Sequence, residues 1–170
     1  PKAKKTKIID WNFVDTCWRK EPREYQYVAA NYLKVMQSYL MENDLPKLER
    51  LVVTKSWWDT VDILDRVVGS LVYDKPELEK IILQWSLSDN IWLRRVAIDH
   101  QLLRKEKTNV QLLEKILLHN LNQTEFFINK AIGWALRDYS KTNPTWVAGF
   151  IEKNKERMAD LSIKEASKYL

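Results

Sequence analysis

In the stretch TKSWWDTVD (54–62), two adjacent tryptophans are followed closely by carboxylates at Asp59 and Asp62. A carboxylate can steady positive charge or activate a water molecule, and a tryptophan ring offers an electron-rich face to a cation. Neighbouring residues on a helix point about 100° apart, so one face cannot bury both rings. Trp57, Val61, Leu64 and Val68 share one helix face, which predicts Trp57 as the core ring. Trp58, Asp62 and Asp65 share another. Trp58 then either packs against a neighbouring helix pair or stands at a binding surface. Asp62 is either a solvated carboxylate or a chemical group.

Two further segments carry residues that a core does not explain. Over 90–104, Ile91, Ile98 and Leu102 define an apolar face, and Arg95 lies inside it. An unpaired buried charge is very costly, so this guanidinium must find a carboxylate or reach water. It is either a structural ion pair or a phosphate ligand at the rim of a groove. Over 124–140, Lys130, Trp134 and Arg137 recur at one-turn spacing beside Gly133. A mid-helix glycine costs up to about 1 kcal/mol against alanine and marks a close approach, by a neighbouring helix or by a ligand backbone. Aromatic and basic residues interleaved on one face fit nucleic acid.

The elements that must position these groups are helical. Of 170 residues, 45% are hydrophobic and 30% charged, with three glycines and five prolines, which predicts a globular all-α chain forming one domain over 1–170. Apolar residues recur at helical spacing near 9–18, 23–41, 46–53, 57–70, 77–86, 90–104, 109–119, 124–140, 143–154 and 162–169. Pro22, Pro46, Pro76 and Pro144 mark first turns. Asp44, Asp74 and Asn143 stand where caps belong, and Ser88 or Asp89 where the next one does. Placed beneath one another, KSWWDTVD, DNIWLRRV and TEFFINKA align Trp57-Trp58, Ile91-Trp92 and Phe126-Phe127. In that frame Lys130 takes the place of Arg95. A period of about 35 residues holding two helices predicts a HEAT-like solenoid with a concave binding face.

Eight tryptophans exceed what a core needs, so some belong to a binding surface. The net charge of +5 is compatible with a polyanionic partner. Cys17 stands alone, which excludes an intramolecular disulfide and fits a reducing compartment. There is no membrane-spanning apolar run and no glycine-rich phosphate loop, and His100 and His119 lack partners at metal spacing. Neither metal nor cofactor is expected. One domain without a second apolar face predicts a monomer.

Three segments in order, TKSWWDTVD (54–62), SDNIWLRRVAIDHQL (88–102) and EFFINKAIGWALRDYSKTNP (125–144), closely resemble the bacterial DNA alkylation repair enzymes of the AlkD family. The similarity runs from about Pro22 to the end and includes LSIKEASKYL (161–170). The family consists of HEAT-like helical DNA glycosylases, so the resemblance implies removal of N3- and N7-alkylated purines from double-stranded DNA in the bacterial cytosol. By position, Asp62 matches the catalytic aspartate, while Trp58 and Trp134 match aromatics of the active-site cleft. Arg95 matches a basic residue near both the DNA backbone and that carboxylate. Arg137 matches another near the backbone, and Lys130 and Lys55 join them as DNA contacts. Family members carry additional helices ahead of this region, expected here to be missing or replaced by PKAKKTKIIDWNF (1–13). The alternatives are a non-catalytic HEAT-like module binding DNA or protein, and a truncated, inactive relative.

Overall fold

The computed structural model describes residues 2–170, and no strand forms among them. In chain order the helices are α1 (Lys2–Lys5), α2 (Trp11–Arg19), α3 (Arg23–Val35), α4 (Leu45–Val52), α5 (Trp58–Val72) and α6 (Pro76–Trp85). They continue with α7 (Ile91–Asp99), α8 (Val110–His119), α9 (Phe126–Ser140), α10 (Pro144–Asn154) and α11 (Asp160–Ala166). The three aligned doublets fall at the starts of α5, α7 and α9, and each period holds two helices. The fold is the all-α, HEAT-like helical repeat that the spacing predicts.

Two helices are shorter than their apolar patterns imply. The segment 23–41 is not one helix, because α3 stops at Val35 and short 3₁₀ turns follow at Gln37–Tyr39 and Glu42–Asp44. In the second of these turns, Asp44 accepts the Met41 N–H at 2.8 Å. The segment 90–104 ends its helix at Asp99. Leu103 turns left-handed, at φ 68, and donates its N–H to Asp138 Oδ2 on α9 at 2.8 Å. A tertiary acceptor has replaced the helical one.

The caps are partly as expected. Asn143 caps α10 by accepting the Trp146 N–H. The cap of α7 is neither Ser88 nor Asp89 but Asn90, which accepts from Trp92 and Leu93, while Ser88 Oγ accepts the Asn90 N–H. Asp44 precedes α4 without a side-chain cap bond, and Asp74 is left-handed at φ 54.

The chain forms two compact units, one ending at Glu79 and one beginning at Lys80. In the first, α5 packs on α3 and α4, and α2 on α3. Ala30, Leu33, Leu48, Val61, Leu64 and Val68 are fully buried there. In the second, α9 is the hub on which α7, α10 and α11 pack, around Ile116, Ile128, Ile132 and Leu136.

Gly133 explains how α11 seats so closely. A Cβ at this position would lie 2.7 Å from Glu165 Cβ and 3.3 Å from the Ser162 carbonyl oxygen. One turn earlier on α9, the Asn129 carbonyl accepts Ser162 Oγ at 2.7 Å. The close approach is therefore by a neighbouring helix of the chain itself. Gly149 on α10 is the opposite case, with nothing within 4 Å of an added Cβ. Alanine should consequently act with opposite sign at the two glycines. Gly149→Ala gains helix propensity of up to about 1 kcal/mol and raises Tm. Gly133→Ala has the same propensity gain but overpacks at a cost of about 1–3 kcal/mol, and lowers Tm by several degrees in a calorimetric scan.

Candidate functional site

The first unit contributes the beginning of α5. Trp57 is not the core ring that the wheel predicts. Its backbone is extended, at φ −159 and ψ 162, so it precedes the helix and leaves the stripe, and it is 48% exposed. Val61, Leu64 and Val68 do form the buried stripe. Trp58 opens the helix and is 50% exposed. Asp62 lies one turn further on the same side and is half-buried. Asp65 is buried, with Arg66 Nε 3.4 Å from its Oδ1.

The two carboxylates after the tryptophans differ in their surroundings. Asp59 is held by a fork from Arg23 on α3: Nε donates to Oδ2 at 2.9 Å, and Nη2 pairs with Oδ1. Tyr27 Oη donates to Oδ2 at 2.6 Å, and the Thr60 N–H to Oδ1 at 2.8 Å. The hydrogen-bonded guanidinium holds this carboxyl below the usual carboxylate range. The same carboxylate raises the Tyr27 phenol and the Arg23 guanidinium. Lys55 is exposed, in a left-handed conformation at φ 53, and its Nζ donates to the Lys20 carbonyl at 2.7 Å.

The second unit contributes Arg95, Lys130, Trp134 and Arg137. Arg95 is not at a rim but 2% exposed. In the repeat frame it occupies the position of the core residue Val61, which in the next repeat holds the half-buried Lys130. Its Nη1 donates to the Phe127 carbonyl at 2.6 Å, and its Cζ lies 5.3 Å from the Trp134 ring centroid. Lys130 Nζ is 5.7 Å from the same centroid, so the half-buried indole has two cations within cation–π range. Lys130 and Arg137 also divide one carboxylate, that of Glu165 on α11. Their bonds reach Oε1 at 3.1 Å and Oε2 at 3.2 Å. The Glu165 carboxyl is thereby lowered, through the Lys130 bond first.

Composition, spacing and the resemblance single out none of Glu165, Arg23 and Tyr27. A signal for two of them was present: Arg23 lies 36 residues before Asp59, and Lys130 lies 35 before Glu165, each one repeat period. Of the two histidines, His100 is buried with Nδ1 on the Ala97 carbonyl at 2.7 Å. Burial, and secondarily the Arg104 charge, push it down to about 3, so it stays neutral at ordinary pH. Among the described residues no helix is long and apolar enough to cross a membrane.

The family model described as DNA alkylation repair enzyme matches residues 2–170. A solved structure described as a predicted DNA alkylation repair enzyme from Enterococcus faecalis is similar at 35% identity. That match has a TM-score of 0.89 and covers 99% of this chain and 80% of that one. No curated protein matches the chain.

The lowered Asp59 carboxyl gives a signed pH dependence. Its contribution is present above the unfolded value, about 3.9, and is lost as pH falls through the lower folded one. At pH 7, Asp59→Asn should lose about 1–3 kcal/mol in urea unfolding. The gap from the parent protein should then narrow steadily once pH drops below about 4.

Proposed function

Because the chain belongs to the DNA alkylation repair enzyme family, we propose that its repair activity is that of a DNA glycosylase. Its substrate is duplex DNA carrying cationic N3- or N7-alkylated purines, and it hydrolyses their N-glycosidic bond. The observation that carries this reading is the placement of Asp62, half-buried one turn after the exposed Trp58 on α5. Asp59, beside them, is tied to α3 through Arg23 and Tyr27. We therefore assign the chemistry to Asp62.

The reaction follows from the charge on the base. An alkylated purine is already positive, so it leaves with the C1′–N9 bonding electrons and becomes neutral. No general acid or metal need assist it. Positive charge then develops on the deoxyribose, as in glycoside hydrolysis. Asp62 steadies that charge and orients a water molecule, whose oxygen bonds to C1′ as a proton passes to the carboxylate and then to solvent. An abasic site and a free base remain.

Trp58 and Trp134, each matched by position to a cleft aromatic of the family, are assigned to offer a π face to positive charge, an interaction worth roughly 0.5–2 kcal/mol. With two cations already beside it, Trp134 contributes less at the chemical step than Trp58. Arg137 and Lys130 meet phosphate by exchanging Glu165 for a phosphate oxygen. Arg95 is too buried for that exchange, and in this scheme it orders the Trp134 ring. Lys55 is the exposed backbone contact.

The test is release of free N7-methylguanine from a duplex carrying one lesion. Asp62→Asn should slow release by about 10²-fold or more while DNA affinity changes by less than about threefold. Equal release by both proteins would remove Asp62 from the chemistry. Binding without release by either would leave a DNA-binding module or an inactive relative.

A further inference from the structure

The first turn of α5 lacks the device that fixes other helices of this chain. Asn90, Asn109 and Asn143 cap α7, α8 and α10 through their side chains, whereas Trp57, at the cap position of α5, makes no such bond. The turn is anchored from α3 instead. Arg23 forks onto Asp59, donates to Thr60 Oγ1 at 3.2 Å, and reaches the Lys55 carbonyl with Nη1 at 2.5 Å. Tyr27, one turn along α3, adds its bond to the same carboxylate.

The segment leading into that turn is held with similar care. Trp18 Nε1 donates to the Thr54 carbonyl at 2.9 Å, and Thr54 Oγ1 to the Arg50 carbonyl at 2.6 Å. Lys55 is kept left-handed, a conformation that non-glycine residues adopt when their surroundings impose it, often at functional sites. These bonds converge on residues 54–60, immediately around Trp58 and one turn before Asp62. The geometry points to Arg23 as a positioning residue for base excision: by holding Asp59 and the Lys55 carbonyl together, it sets the direction in which α5 presents Trp58 and Asp62. This inference rests on the glycosylase reading. A misplacement of a fraction of an ångström at reacting groups costs rate rather than affinity, and lysine can replace one arm of the fork but not both.

Single-turnover release of N7-methylguanine, DNA affinity and amide hydrogen exchange are measured for the parent protein, Arg23→Ala and Arg23→Lys. Arg23→Ala should release base about tenfold more slowly or worse at saturating enzyme, with affinity within about threefold and exchange accelerated at residues 58–62. Arg23→Lys should recover part of the rate. Parent-like rates per folded molecule in both variants would overturn the inference. If Arg23→Ala does not fold, Arg23→Lys decides alone: slower release with unchanged affinity supports it, and a parent-like rate overturns it. If the parent protein releases no base, the glycosylase reading fails. Exchange then decides for Arg23, with acceleration confined to residues 58–62 supporting the clamp and unchanged exchange there refuting it.

Discussion

A helix pair in a stacked repeat has partners only in the pairs on either side of it, and that limit governs which polar groups can meet. Side chains that reach out of one pair find acceptors about one period away. Arg23 meets Asp59 at a separation of 36, Lys20 meets Lys55 at 35, and Leu103 meets Asp138 at 35. Lys130 meets Glu165 at 35, Ser86 meets His119 at 33, and Asn129 meets Ser162 at 33. Apolar stripes make the pairs adhere, but a stripe tolerates sliding. Directional bonds at one-period spacing fix the register of one pair on the next, and the groups assigned to chemistry inherit their positions from that register.

Glu165 shows how such a bond ties packing to charge. The missing side chain at Gly133 lets α11 approach α9 until the Glu165 Cβ and the Ser162 carbonyl oxygen lie against it. Only then can one carboxylate serve both Lys130 and Arg137. On the proposed reading, Lys130 and Arg137 are held in place by Glu165 and must leave it to meet a phosphate. Both lie partly exposed, with side-chain exposures of 25% and 29%, so the exchange is electrostatically modest and sensitive to salt.

Much of this arrangement could be read from the chain itself. The doublets at Trp57, Ile91 and Phe126 locate three helix starts, and the buried stripe Val61, Leu64, Val68 follows from periodicity alone. Arg95 stood out because an arginine occupied an apolar position, and burial is where the structure puts it. Trp57 departs from the wheel because wheel arithmetic presumes helical backbone, and the helix begins one residue later. The end of α7 lies earlier than periodicity implies because the Leu103 N–H finds an acceptor, Asp138, on another helix. Spacing and the resemblance single out Asp62 over Asp59. What they cannot show is that Arg23 and Tyr27 on another helix hold Asp59, because only the tertiary fold brings those side chains together.

The buried Arg95 has a consequence for the modularity of the fold. Repeat proteins usually tolerate duplication, deletion or exchange of whole units, since each interface resembles the next. Here the unit that begins at Ile91 is not interchangeable. Put in the place of the unit that begins at Trp58, it would bring a cation to the position of the buried Val61, without the Phe127 carbonyl or the Trp134 ring beside it. The place of this unit is therefore written into its core.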